Sequence, residues 1–245
     1  MMSRVVTAEV LDGLPQDDPS AMRSRQDLRR VHRAMGTRKI LLRALKGMKL
    51  AHLEVEPLRV LEIGAGDGSL MLGVAQALDS AWPKVALTLL DRQALVTPAT
   101  VASYQAVGWT VATDVGDVLA WAARDTPTPT NAPERWDLVV ANLFLHHFEG
   151  AQLARLLQAI ALKSDRLLAC EPRRDWLALV GSHLTGMIGA NAVTREDAVL
   201  SVHAGFSGNE LSSLWPASGE RWRLQERAAG LFSHCFCAER LGAAA

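Results

Sequence analysis

Glu62, Gly64, Gly66 and Gly68 stand two residues apart in the run Arg59-Val60-Leu61-Glu62-Ile63-Gly64-Ala65-Gly66-Asp67-Gly68-Ser69-Leu70. A short apolar stretch breaks into glycines at alternate positions, and a helix-forming apolar segment, Leu70 to Leu78, follows at once. The pattern predicts a strand, a tight turn and a helix start. Glycine there lets backbone approach a ligand closely, and the first helical N–H groups face that ligand. The dinucleotide version of such a turn reads G-x-G-x-x-G and brings a pyrophosphate onto the helix N-terminus. Here the spacing is G-x-G-x-G, and Ser69 falls where the third dinucleotide glycine belongs. Glu62 would repel an anion and accept a cationic group.

A second acid, Asp91, ends the apolar run Leu87-Thr88-Leu89-Leu90. An acid at a strand edge some twenty residues past the glycines can hold both ribose hydroxyls of an adenosine group. A third segment, Trp136-Asp137-Leu138-Val139-Val140-Ala141-Asn142-Leu143-Phe144-Leu145-His146-His147-Phe148, runs from an apolar strand into two adjacent histidines. A histidine near neutral pKa at such an edge can accept a proton from a phenol, and it can equally pack beside a bound cofactor. Two neighbouring histidines do not make a metal site alone, and no cysteine or acid cluster completes one in the sequence, so no metal is expected.

The E-x-G-x-G-x-G run resembles motif I of the class I S-adenosylmethionine-dependent methyltransferases, whose ligand carries an ammonium and a sulfonium. The segment ending Leu-His-His-Phe resembles motif IV and the following loop of ubiquinone/menaquinone-type and other small-molecule methyltransferases. The resemblance covers roughly Leu58 to Arg240. It implies an α/β fold with a Rossmann-like seven-stranded sheet, mostly parallel with an antiparallel C-terminal strand. It also implies S-adenosylmethionine as cofactor, with Glu62, Gly64, Ala65, Gly66 and Gly68 at its methionine part and Asp91 at its ribose. Asp114 and Val115 are expected at the adenine, with Asp117 the adjacent alternative, and Arg92 and Asn142 complete the expected cofactor set. By its place in the motif His147 is the better candidate for a catalytic base, and His146 is second.

The resemblance also bears on the acceptor. Enzymes that methylate exocyclic amines or glutamine side chains usually carry Asp/Asn-Pro-Pro-aromatic in this loop, whereas Asn142 is followed by Leu143-Phe144. The Glu171-Pro172-Arg173-Arg174 corner and the Asn191–Ala198 run are similar to a bacterial branch acting on phenolic or polyketide-like molecules. The expected function is methyl transfer to a small hydrophobic acceptor, to oxygen in preference to carbon. The competing readings are an RNA methyltransferase and a non-catalytic cofactor-binding module. A nicotinamide oxidoreductase is disfavoured by the glycine spacing.

The elements that must position these residues are legible as an alternation. Candidate strands are 59–63, 85–90, 110–112, 138–141 and 166–170, separated by helical segments near 70–78, 100–107, 118–123 and 151–162. Alternation with continuously apolar strands argues for a parallel sheet covered on both faces. After Cys170 about fifty residues read as helix, with capping boxes at Thr194–Asp197 and Ser207–Glu210, before strand signals return at 222–226 and 233–240. This insertion, around 173–216, is expected to cap the substrate site, and its apolar residues to wall a pocket. Arg173 or Arg174 could meet a substrate carboxylate, though surface arginines at a helix start are the favoured reading. A Pro-rich loop is expected over 125–134.

Residues 1–55 are expected to form a helical extension or lid ahead of a methyltransferase domain at 56–245. Between Ala21 and Leu50 ten Lys or Arg face one acid, Asp27, although the whole chain is formally neutral. Leu28, Val31 and Met35 recur at helical spacing, Gly36 stops that helix, and Thr37 can cap the next. The pair could be an anion-binding or membrane-surface element. A solvated face of helices packed on the domain is the favoured reading, because no base-stacking aromatics are interleaved with the charges. Nucleic acid is therefore disfavoured as a partner, and a homodimer stays open. The 245 residues contain no apolar run long enough to span a membrane. Glu9, Asp12, Asp17 and Asp18 replace the apolar core of a secretory signal. Cys170, Cys235 and Cys237 give no paired framework and are expected as reduced thiols, so a cytoplasmic setting is expected.

Overall fold

The computed structural model describes residues 2–48, 50, 57–79, 82–124, 135–216 and 221–241. Its helices are α1 (Val10–Gly13), α2 (Pro19–Met35), α3 (Thr37–Gly47), α4 (Ser69–Ala75), α5 (Pro98–Ala106), α6 (Val118–Ala123), α7 (Gly150–Lys163), α8 (Trp176–His183), α9 (Ala192–Ala204) and α10 (Glu210–Leu214). The strands are β1 (Leu58–Ile63), β2 (Val85–Asp91), β3 (Thr110–Val115), β4 (Leu138–Asn142), β5 (Arg166–Pro172), β6 (Trp222–Ala229) and β7 (Ser233–Arg240). They form one seven-stranded sheet in the order β3-β2-β1-β4-β5-β7-β6. The first five are parallel, and β7 lies antiparallel between β5 and β6. The strand order reverses between β1 and β4. In open α/β sheets, ligands bind outside the carboxyl ends of the strands at such a point.

Successive side chains of a strand point to opposite faces, and both faces here are covered. Leu61, Ile63, Val139, Ala141, Leu167 and Ala169 pack with Trp121 of α6 and with Leu153, Leu157 and Ile160 of α7. Leu58, Val60, Leu138, Val140 and Leu168 pack on the other side with Leu41 and Leu45 of α3, Met71 and Val74 of α4 and Tyr104 of α5. Each fully buried Leu or Ile contributes roughly 1.5–3 kcal/mol. That apolar face, more than helix propensity, holds α7 on the sheet.

Several local expectations are corrected. Strand β3 runs on to Val115, so Asp114 and Val115 lie within it and not after it. Helix α4 ends at Ala75, short of the expected Leu78. Thr37 does not cap α3: Gly36, in the left-handed region at φ 69°, ends α2 and opens α3, and the Thr37 hydroxyl is buried without a partner. The Thr194–Asp197 box is not a helix start either. Helix α9 begins three residues earlier at a cap from Asn191, whose side chain accepts the Thr194 N–H at 2.8 Å. At Ser207–Glu210 the Glu210 carboxylate accepts the Ser207 N–H at 3.0 Å, but Ser207 does not cap the helix: α10 opens at Glu210 after Asn209, which makes no side-chain cap bond. The expected 125–134 loop and the boundary at residue 55 lie outside the described residues.

Candidate active site

The glycine turn forms as its sequence requires. Gly64, Gly66 and Gly68 all have positive φ, at 67°, 57° and 73°. A side chain would be strained at each position. Beyond Gly66 a Cβ would meet open space, whereas at Gly64 it would collide with the Phe144 ring. The turn is tied down from several sides. The Leu90 carbonyl accepts the Gly64 and Ala65 N–H groups at 2.9 and 3.1 Å. The buried Tyr104 hydroxyl donates to the Gly68 carbonyl at 2.7 Å. Asp91, at the end of β2 as expected, accepts the Gly66 N–H on Oδ2 at 2.8 Å and the Gln93 N–H on Oδ1 at 2.9 Å. Each oxygen keeps a second lone pair for a ligand hydroxyl.

Glu62 is buried at the end of β1, and its Oε2 has no hydrogen-bond partner. Burial, together with the charges of Asp67 and Asp91, pushes its carboxyl up to about 8. One strand away, at the end of β4, the buried Asn142 Oδ1 also lacks a partner. Buried polar atoms are nearly always hydrogen-bonded, so two orphans on neighbouring strands at the switch point mark a site shaped for a ligand with donors. A ligand ammonium meets both needs: it donates, and it relieves three crowded carboxylates.

The other expected cofactor residues fall around this centre. Val115 is exposed at the end of β3, free to meet a flat ring. Asp114 pairs with Arg124 at 3.2 Å. Asp117 instead caps α6, accepting the Leu119 and Ala120 N–H groups, which accounts for it without a ligand. Arg92 points to Asp12 at 3.6 Å. Helix α2 crosses above. Arg29 pairs with Asp67 at 2.5 Å, and His32, kept neutral by burial at a pKa of about 4, lies 3.4 Å from the Asn142 amide nitrogen. His32 had no sequence signal of its own, only the Leu28-Val31-Met35 stripe beside it. Basic residues of α2 tie the helix down: Arg25 reaches the Gln93 side chain at 2.8 Å, and Arg30 donates to the Gly189 carbonyl at 3.4 Å.

Leu143 joins this region to a second one. It has φ 47°, and among the described residues it alone of the non-glycines has a positive φ. Strain of this kind is retained where the surroundings impose it, commonly at sites of function. Its side chain lines a cavity of about 120 Å³ with Leu28, Val31 and Met35 of α2, Ala198 of α9 and Phe232. The expected wall from the helical insertion is present, since α8 and α9 both contribute. The polar lining includes Glu9, Ser24, Asp197 and Ser201.

Beside the cavity, Leu145–His147 form a 3-10 turn held by Glu171. The fully buried Glu171 carboxylate accepts N–H groups from Phe144, Leu145 and His146, and lies 2.8 Å from His146 Nδ1. The other ring nitrogen of His146 is 3.2 Å from Glu9. Burial opposes charge on His146, but the hydrogen bonds to Glu171 and Glu9 outweigh it and hold the pKa at about 9. At neutral pH His146 is an imidazolium with both nitrogens engaged, unsuited to accepting a proton. His147 is shifted the other way, downward, by burial and by the charge of His146, and its Nδ1 is 3.4 Å from Asp12. The expectation that no acid joins the two histidines is corrected: Glu9, His146 and His147 each bring a ligand-type atom within 4.8 Å of the others.

Arg174 is also corrected. It is buried, not a surface arginine, and holds Glu210 through two bonds of 2.5 and 3.0 Å, the Gly205 carbonyl and the Met2 carbonyl. Arg173 pairs with Asp175. All three cysteines are free thiols. Among the described residues no helix is long and apolar enough to cross a membrane.

No protein-family model matches this sequence, and no curated protein matches it. Solved structures do. The plantazolicin methyltransferase BpumL in complex with SAH aligns with a TM-score of 0.59 at 12% identity, covering 91% of this chain and 91% of that one. Magnesium protoporphyrin IX methyltransferase (ChlM) from Synechocystis PCC 6803 with bound SAH aligns with a TM-score of 0.53 at 16% identity, covering 94% of this chain and 91% of that one. At such identities the likeness is one of architecture, and it agrees with the sheet order and the glycine turn: the chain has the Rossmann-like, seven-stranded fold of the class I methyltransferases.

Proposed function

We propose that this protein transfers a methyl group from S-adenosylmethionine to an oxygen of a small hydrophobic, phenolic or polyketide-like acceptor. The observation that carries the reading is the pair of orphaned oxygens, Glu62 Oε2 and Asn142 Oδ1, set beside an open Gly66 at the switch point of the sheet. When bound, S-adenosylmethionine supplies a methyl group activated by its sulfonium. The chain's own work is then to bind and align. Glu62 receives the ammonium, Asp91 the ribose hydroxyls and Val115 the adenine face. Helix α2 covers the site with His32 and walls the acceptor cavity with Leu28, Val31 and Met35. Alignment and exclusion of water supply much of the rate in a displacement of this kind. The cavity is close in size to the roughly 150 Å³ void that accommodates benzene in an engineered protein, which suits one aromatic ring. BpumL and ChlM, by their names, methylate plantazolicin and magnesium protoporphyrin IX, which supports a small-molecule acceptor in preference to RNA.

Calorimetry tests the first half: S-adenosylmethionine should bind in the micromolar range and NAD should not, and the reverse would overturn the reading. Gly66→Val should abolish that binding, and a far-ultraviolet circular dichroism spectrum like the wild type's should show that the strain at φ 57° stays local to the turn. Labelled S-adenosylmethionine offered with pools of phenols and of RNA tests the second half. Label is expected in the phenols. Label in RNA would overturn the acceptor, and binding without turnover would point to a cofactor-holding module.

A further inference from the structure

We propose that Glu9 is the catalytic residue that takes the proton from the acceptor's hydroxyl during methyl transfer, an assignment that rests on the methyl-transfer reading. Glu9 reaches the cavity wall from a segment far away in sequence. Its side chain is only 13% exposed, and the placement is built from several directions. Asp197 of α9 accepts the next two N–H groups, Val10 at 2.7 Å and Leu11 at 3.0 Å. Arg4 pins the same segment by donating to the carbonyls of His146, Phe148 and Ala204. The Glu9 carboxylate then meets the Ser201 hydroxyl and, at 3.2 Å, His146 Nε2. Behind His146 stands Glu171 at 2.8 Å.

This carboxylate–imidazolium–carboxylate row keeps Glu9 ionised where burial alone would neutralise it. The other candidates are less well placed. His146 is already protonated. His147 is not on the cavity wall, and its ring is turned to Asp12. Asp197 lines the cavity as well, but its two oxygens anchor the Val10 and Leu11 N–H groups at 2.7 and 3.0 Å and so hold the segment that carries Glu9.

The step balances without a further reactant. A lone pair of the acceptor oxygen forms the new oxygen–carbon bond as the carbon–sulfur bond breaks, and that bonding pair stays on sulfur. The hydroxyl proton passes to a Glu9 oxygen and is returned to water after product leaves. Groups able to impose their own titration on this carboxylate are His146, His147 and Asp12, Asp197 on α9, Arg4, and Glu171 behind His146.

The test compares Glu9→Gln with the wild type, using 4-ethylphenol and 4-nitrophenol as probes. With the weakly acidic 4-ethylphenol, turnover should fall roughly 10²–10⁴-fold. With 4-nitrophenol, offered largely ionised, the loss should shrink below about tenfold, and cofactor affinity by calorimetry should stay unchanged in both cases. Equal losses with the two phenols would overturn the proposal. A measurement without turnover runs beside it: the absorbance of 4-nitrophenol bound to the protein with S-adenosylhomocysteine. A carboxylate facing the phenol oxygen repels phenolate, so the bound probe should ionise at a pH at least about one unit higher in wild type than in Glu9→Gln. Identical midpoints would overturn the proposal. A wild type that transfers no methyl to phenols while showing this shift would sink the O-methylation reading and still place Glu9 at the acceptor oxygen. The Glu9-His146-His147 cluster supplies one more arm: activity lost to a chelator and restored by zinc would assign Glu9 to a metal instead.

Discussion

Glu62 and Glu171 are both buried carboxylates at the carboxyl ends of central strands, and they are treated oppositely. Glu171 accepts three backbone N–H groups and faces an imidazolium. Glu62 has an oxygen with no partner, and its burial, together with the charges of Asp67 and Asp91, drives its pKa up to about 8. A satisfied buried anion is a structural clamp. An unsatisfied one costs stability in the free protein and gains its partner on binding, so it marks a socket. The fold places the clamp under the histidine turn and the socket under the glycine turn. The Phe144 ring packs against Gly64 between them.

The largest effect should come from breaking the clamp. Glu171→Ala leaves three backbone N–H groups and His146 Nδ1 buried without an acceptor, and should cost roughly 3–5 kcal/mol in urea unfolding. A loss under about 1 kcal/mol would show that the turn stands without it. Glu62→Ala in the same assay should be close to neutral.

Asp91 shares both characters, holding the Gly66 N–H while keeping lone pairs for ribose. Asp91→Ala should weaken S-adenosylmethionine ten- to a hundredfold, roughly 1.4–2.8 kcal/mol. An unchanged dissociation constant would remove Asp91 from the site.

Glu62→Gln sharpens the comparison through protons. If an ammonium pairs with ionised Glu62, binding near neutral pH must expel the proton that burial retains. Calorimetry in buffers of different ionisation heats should therefore report proton release in wild type and much less in Glu62→Gln. Equal release by both would separate the orphaned oxygen from the cofactor.

The contrast also sets the pH dependence of stability in the free protein. Glu62 is raised from 4.5 to about 8, so its contribution is whole below about 4.5 and is lost as pH rises through 8. His146 is raised from 6.5 to about 9, so its contribution is whole below about 6.5 and is lost through 9. Thermal unfolding across pH should lose the lower part of this decline in Glu62→Gln and the upper part in His146→Gln. Unaltered curves would contradict both assignments.

The strand–turn–helix at Glu62–Ser69, the acid ending β2, the strand leading to Asn142 and the alternation that builds a doubly covered sheet were all legible in the sequence. These are local or periodic properties: glycine conformations, apolar runs and turn spacing act within a few residues. The capping errors at Thr37 and Thr194 show the limit even locally, because neighbouring Gly36 and Asn191 offered the helix a better start. The state of the two histidines depends on contacts that form only when distant segments pack together. His146 is charged because Glu171, 25 residues on, and Glu9, 137 residues back, meet at its two nitrogens. Likewise, Arg174 became an anchor through Glu210 and Met2, and His32 was brought over Asn142 by the packing of α2. The protonation of a buried group depends on partners within a few ångströms in space, and sequence spacing carries no record of those partners once they come from different elements.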